Sequence, residues 1–138
     1  MTLAAKGTCT MDIEHVAYTM EDPAAAAEWY ARNLGLRIVH RGGPPAHGRF
    51  LADSSGHVMM EIYNNPKVRV PDYRAMDPLV LHVALEAPDV RAARERLLAA
   101  GAGAVGDVDV TADGSTIAVV RDPWGFPIQL VHRAQPMI

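Results

Sequence analysis

Two stretches of the chain pair a histidine with the same kind of neighbours: Ile13-Glu14-His15-Val16-Ala17 and Val80-Leu81-His82-Val83-Ala84. Two others place one polar residue between apolar ones, Met60-Glu61-Ile62 and Ile128-Gln129-Leu130. Imidazoles and carboxylates can ligate a metal ion or carry a proton near neutral pH. Successive side chains of a strand point to opposite faces. In Leu81-His82-Val83-Ala84-Leu85 the large residues 81, 83 and 85 therefore share a face suited to packing on helices, and His82 takes the other. Met60 and Ile62 leave Glu61 on that second face, and Ile128 and Leu130 do the same for Gln129. Sliding the chain by 67 residues lays His15 on His82, Asp22 on Asp89, Ala25-Ala26 on Ala92-Ala93 and Glu28 on Glu95. A shift of 68 lays Met60-Glu61-Ile62 on Ile128-Gln129-Leu130. His15, Glu61, His82 and Gln129 thus occupy corresponding positions of an internal repeat, and a repeat fixes architecture.

The elements needed to hold these four residues can be read along the chain. Ile13 to Thr19 is rich in β-formers and is expected as a strand. Asp22-Pro23 supplies a helix cap and a first-turn proline, and the helix stops at Gly35. Strands are predicted over Leu36 to His40, Gly48 to Asp53 and His57 to Tyr63, the last two joined at Ser54-Ser55-Gly56. Asn64 to Pro78 carries turn signals and is a long connection, of the kind that serves as a lid or partner arm. A second round follows: a strand over Leu79 to Glu86, a helix from its Asp89 cap through Ala100, and strands over Ala104 to Thr111, Ser115 to Arg121 and Pro127 to His132. The order is β-α-β-β-β, twice. The expected fold is α+β: two tandem βαβββ modules forming a curved, eight-stranded sheet, with the four polar residues on its concave face. Residues 1–10 read as a tail, and 11–135 as one domain made of repeats 12–65 and 79–133.

Composition narrows the function classes. The chain has 138 residues, the size of one ordinary domain. Its 13 Lys+Arg are outweighed by 16 Asp+Glu and form no basic stripe, which argues against nucleic acid. No apolar run approaches the roughly 20 residues of a membrane span. No apolar stretch follows Lys6, so a secretory leader is not expected. Cys9 is the single cysteine, which excludes an internal disulfide and a thiolate zinc cage. A cytoplasmic domain is the expectation.

Three segments carry a resemblance to a known family. They are Ile13 to Ala17, the helix end Trp29-Tyr30-Ala31-Arg32-Asn33-Leu34-Gly35-Leu36, and Arg121-Asp122-Pro123-Trp124-Gly125-Phe126-Pro127-Ile128-Gln129-Leu130. Over about residues 12 to 133 the chain resembles the vicinal oxygen chelate superfamily of glyoxalase I, methylmalonyl-CoA epimerase, fosfomycin and bleomycin resistance proteins and extradiol dioxygenases. The resemblance implies that His15, Glu61, His82 and Gln129 are metal ligands. It implies a divalent ion such as zinc, nickel, cobalt, manganese or iron, which suits imidazole and carboxylate donors. It also implies a small substrate that chelates the ion through adjacent oxygens, and a homodimer. Where relatives close the set with a glutamate, this chain has Gln129, a weaker and neutral ligand that cannot accept a proton. Glu61 is then the one base in the set, which disfavours two-base epimerisation and the iron triad of a dioxygenase.

The leading expectation is a glyoxalase-like, metal-dependent enzyme of lyase or isomerase type with Glu61 moving the proton. A metal-free binding protein of the bleomycin-resistance kind is the alternative, and a small ring-cleaving dioxygenase the third. Arg37, Arg41 and Arg49 flank the expected mouth, where they either hold an anion or are simply solvated. Met59, Tyr63, Tyr73, Trp124 and Phe126 are candidates to line an apolar pocket, with plain packing the alternative for Trp124 and Phe126, which flank a glycine turn. His40, His47, His57 and His132 are read as surface residues, and Cys9 as inert.

Overall fold

The computed structural model describes residues 9–138. Most of the expected tail, residues 1–8, lies outside the described residues, while Cys9 and Thr10 are exposed. The first module contains β1 (His15–Thr19), α1 (Pro23–Leu34), β2 (Arg37–Arg41), β3 (Arg49–Ala52) and β4 (Met59–Tyr63). The second contains β5 (Val83–Glu86), α2 (Val90–Ala99), β6 (Gly103–Val110), β7 (Thr116–Arg121) and β8 (Pro127–His132). One 3-10 turn, Tyr73–Ala75, lies in the connection. Both helices start as the sequence predicts. The Asp22 carboxylate accepts from the Ala25 amide at 3.1 Å, and Asp89 accepts from Ala92 at 2.9 Å, each satisfying an amide that has no partner within its helix. Gly35 then ends α1 at φ 70°, a left-handed conformation that costs glycine little.

The eight strands form two four-stranded sheets of the same topology, β1-β4-β3-β2 and β5-β8-β7-β6. The β1–β4 and β5–β8 pairs are parallel and the others antiparallel. The repeat holds to the residue: Ala17 pairs with Glu61, and Ala84 with Gln129. Among the described residues the outer edges of β1 and β5 pair with no other strand, and Ile13, Val16, Leu79 and Val80 beside them are exposed. Among the described residues no helix is long and apolar enough to cross a membrane.

One strand differs at its start. Leu79 and Val80 favour β-structure by composition, yet they form a turn. The Asp77 side chain accepts from the Leu79 amide at 2.8 Å and its carbonyl accepts from Val80 at 2.9 Å. An aspartate offering its own hydrogen bonds outcompetes strand propensity. β5 therefore begins at Val83, and His82 lies just before it.

A single hydrophobic core joins the modules. Tyr18 from β1 stacks on Phe126 with ring centroids 3.9 Å apart, and the Trp29 indole donates to the Ala100 carbonyl at 2.9 Å. Phe126 is thus a core residue. A buried polar chain crosses the same boundary. The Tyr18 hydroxyl donates to Tyr30 at 2.8 Å, and Tyr30 donates to Asp122 Oδ2 at 2.6 Å. Asp122 Oδ1 accepts from the amides of Trp124 (2.9 Å) and Phe126 (2.8 Å). Burial raises the pKa of Asp122, against the pull of the Tyr30 hydroxyl and the two amides. It also lifts Tyr18 and Tyr30 well above the ordinary tyrosine value.

Two outcomes follow from this chain. Tyr30→Phe removes a donor from a buried carboxylate and should cost about 1–3 kcal/mol in chemical denaturation. A raised pKa means the folded chain keeps a proton that the unfolded chain has lost. Stability should therefore decline as pH rises from about 3.8 to the folded value and then level off. In Asp122→Asn that decline should disappear from the urea midpoint measured against pH.

Candidate functional site

β1 and β4 run side by side, so His15 stands diagonally from Glu61, two residues along the strand from Glu61's partner Ala17. The imidazole lies between two carboxylates. Its Nδ1 is 3.0 Å from Glu14 Oε1, and its Nε2 is 3.5 Å from Glu61 Oε2. Both neighbours are carboxylates and can only accept, so either ring nitrogen can be the donor; the tautomer protonated at Nδ1 donates to Glu14 and turns the Nε2 lone pair toward the space beside Glu61. The Nε2–Oε2 separation exceeds a good hydrogen bond. Two ligands each about 2.1 Å from one ion, at a tetrahedral angle, stand about 3.4 Å apart, so the pair fits two adjacent corners of such a site. Both side chains are partly open, His15 at 35% and Glu61 at 23%. Gly48 borders Glu61: a Cβ there would lie 3.5 Å from Oε1.

In the second module, His82 Nδ1 sits 2.7 Å from the Pro78 carbonyl. That oxygen only accepts, so the exposed His82 donates from Nδ1 and leaves Nε2 free. Gln129 is half-buried on β8 opposite Ala84. Among the described residues no three His, Cys, Asp or Glu side chains come together as a metal site. One chain therefore brings His15 to Glu61, and His82 does not join them.

Other sequence candidates take structural roles. Arg49 donates to the carbonyls of Gly42 (3.0 Å), His47 (2.9 Å) and Gly48 (3.1 Å), fastening the β2–β3 loop that carries Gly48. Arg41 faces Glu28 of α1 at 3.4 Å. Met59 and Tyr63 flank Glu61 on β4. Tyr73 and Trp124 border a separate groove of about 730 Å³ beyond the ends of β1 and β4, with Asn64, Arg69 and Arg74, and the His15–Glu61 pair lies outside it. Arg121 was not legible as important. Its guanidinium donates to the carbonyls of Tyr73 (2.7 Å), Met76 (2.8 Å) and Gly125 (3.1 Å), which pins the connection leading to His82 onto the β7–β8 turn. Glu14 was equally missed, although its place next to His15 was visible in the sequence.

With the fold and pair in place, the comparisons agree on a class. A model of the Glyoxalase/Bleomycin resistance protein/Dioxygenase superfamily matches residues 12–130, and the chain belongs to this family. Among solved structures it is similar to SMU.1112c, at 25% identity and a TM-score of 0.70 over 88% of this chain and 98% of that one. It is also similar to TnmS3, an antibiotic binding protein from Streptomyces sp. CB03234, at 17% identity and TM-score 0.69 over 92% of this chain and 99% of that one. A third is a mutant glyoxalase I from Zea mays, at 22% identity and TM-score 0.71 over 90% of this chain and 46% of that one. No curated protein sequence matches the chain.

Arg121→Ala strips three carbonyls of a charged donor and should destabilise the fold by about 3 kcal/mol. Limited proteolysis should then cut the 64–82 connection faster than in the parent chain.

Proposed function

We propose that this chain is a glyoxalase-like, metal-dependent enzyme of lyase or isomerase type. It acts in the cytoplasm on a small substrate with two adjacent oxygens, with Glu61 transferring the proton. The His15–Glu61 pair, set at a spacing suited to a shared ion, carries this reading. His15, Glu61, His82 and Gln129 would hold a divalent zinc, nickel, cobalt, manganese or iron ion. When bound, that ion supplies Lewis-acid stabilisation of negative charge on the substrate oxygens. Glu61 accepts and returns the proton through its carboxylate, and Glu14 orients the His15 imidazole ring through Nδ1. Gln129 leaves the set with one carboxylate, so proton transfer falls to Glu61 alone.

The set is completed, in this reading, by a homodimer in which His82 and Gln129 of a second copy meet His15 and Glu61. Two features support that arrangement. Among the described residues no three His, Cys, Asp or Glu side chains gather as a metal site, and the outer edges of β1 and β5 are flanked by exposed Ile13, Val16, Leu79 and Val80. A metal-free binding protein is the second reading. It is favoured by the neutral Gln129 and by the likeness to a protein described as antibiotic binding.

Metal analysis after reconstitution should find close to one transition-metal ion per chain; less than a tenth would favour the binding reading. Glu14→Ala should weaken metal affinity about 10–100-fold. Exchange of the α-proton of a hydroxy-ketone into deuterated solvent should vanish in Glu61→Gln, and unchanged exchange would remove Glu61 as the base. Mixing inactive His15→Ala and His82→Ala chains should restore about a quarter of the parent sites, because each mixed dimer keeps one intact set. No restoration would place the set within one chain.

A further inference from the structure

Strand register defines a transverse row across the open face of the first sheet. His40 pairs with Phe50, Phe50 with Glu61, and Glu61 with Ala17. Directly paired residues share a face. The equivalent row of the second sheet is Val105, Val119, Gln129 and Ala84. The two modules therefore match in register and differ in chemistry. One row carries an imidazole and a phenyl ring beside the base, where the other carries two valines. Phe50 is half-buried on a face that no helix covers, and neither it nor Val119 belongs to the core cluster. The rings of His15 and His40 meet it edge-on, with centroids 5.3 and 5.9 Å away. Phe50 thus sits between the imidazole next to Glu61 and a second, exposed imidazole on β2. At about 4.8 Å per strand, His40 stands roughly 10 Å from Glu61 along the row, about the reach of one substituted aromatic ring.

We propose that Phe50 and His40 form a specificity subsite, in which Phe50 packs against an aromatic ring borne next to the substrate's paired oxygens and His40 donates to an anionic group at the ring's far end. The inference rests on the proposed reading of His15 and Glu61 for the position of those oxygens. A ring against Phe50 gains area and edge-to-face contact. An imidazole opposite a carboxylate adds a charge-assisted hydrogen bond. Neither contribution has a counterpart at Val105 and Val119.

Calorimetric titration of lactate, mandelate and 4-carboxymandelate into the metal-reconstituted protein tests this. The three ligands share adjacent oxygens and add first a ring and then a remote carboxylate. Affinity should rise along the series by about tenfold for the ring and severalfold for the carboxylate. Phe50→Ala should remove the gain of mandelate over lactate. Phe50→Leu, which keeps apolar bulk without the ring, should remove most of it in a chain confirmed folded by circular dichroism. His40→Ala should weaken 4-carboxymandelate alone. Equal loss for all three ligands in His40→Ala, an unchanged series in both Phe50 variants, or no binding of any ligand to the parent at millimolar concentration would overturn the subsite. Glu61→Gln separates the two readings: if it leaves all three affinities unchanged while His40 and Phe50 still discriminate, the metal reading fails and the subsite stands.

Discussion

The Asp122 carboxylate is fully buried, and it is held by a phenol from one module and two amides of its own turn. Removing a charged or polar group from water is costly unless its hydrogen bonds are replaced. Those three donors replace them only when α1 lies against the β7–β8 turn. The stack of Tyr18 on Phe126 and the Trp29–Ala100 hydrogen bond depend on the same placement. Apolar burial gives the modules a reason to associate, while the Tyr18–Tyr30–Asp122 chain selects one way of doing so. Both sheets are thereby anchored through their helix sides, and their opposite faces are left for chemistry.

On those open faces the repeat preserves geometry and abandons identity. Ala17 with Glu61 and Ala84 with Gln129 hold the same register, so a change from acid to amide alters charge without altering position. The same contrast continues outward from Glu61 to Phe50 and His40, against Val119 and Val105. One module carries a carboxylate, an imidazole and a phenyl ring along this row, and the other carries aliphatic side chains and a neutral amide. Such division of labour is available to a duplicated scaffold because its strand pairings, set by backbone hydrogen bonds, tolerate exchange of side chains on an uncovered face.

Much of this was legible from residue order. The alternation around Glu61 and Gln129, the Asp22 and Asp89 caps and the 67-residue offset lead directly to two βαβββ modules. The four candidate site residues follow from the same pattern. Three things did not. Strand propensity at Leu79 and Val80 gave way to hydrogen bonds from Asp77, a competition that a hydrophobic pattern does not register. The choice for Phe126 between pocket and packing stayed open because a glycine turn is uninformative about what stacks on its neighbours, here Tyr18 from more than a hundred residues away. The importance of Arg121 lay in carbonyls contributed by Tyr73, Met76 and Gly125, groups that every residue possesses and no sequence pattern marks.

The sheet borders are not treated alike. On the far sides, β2 carries Arg37 and Arg41 and β6 carries Asp107 and Asp109, charges of the kind that discourage another strand from adding. β1 and β5 carry His15 and Glu86 but are accompanied by exposed Ile13, Val16, Leu79 and Val80. A newly made chain therefore presents apolar side chains beside two strand edges until something covers them. Crowded overexpression would set orderly pairing in competition with indiscriminate β-aggregation, and charge introduced at Val16 or Val80 would shift the balance between soluble material and inclusion bodies.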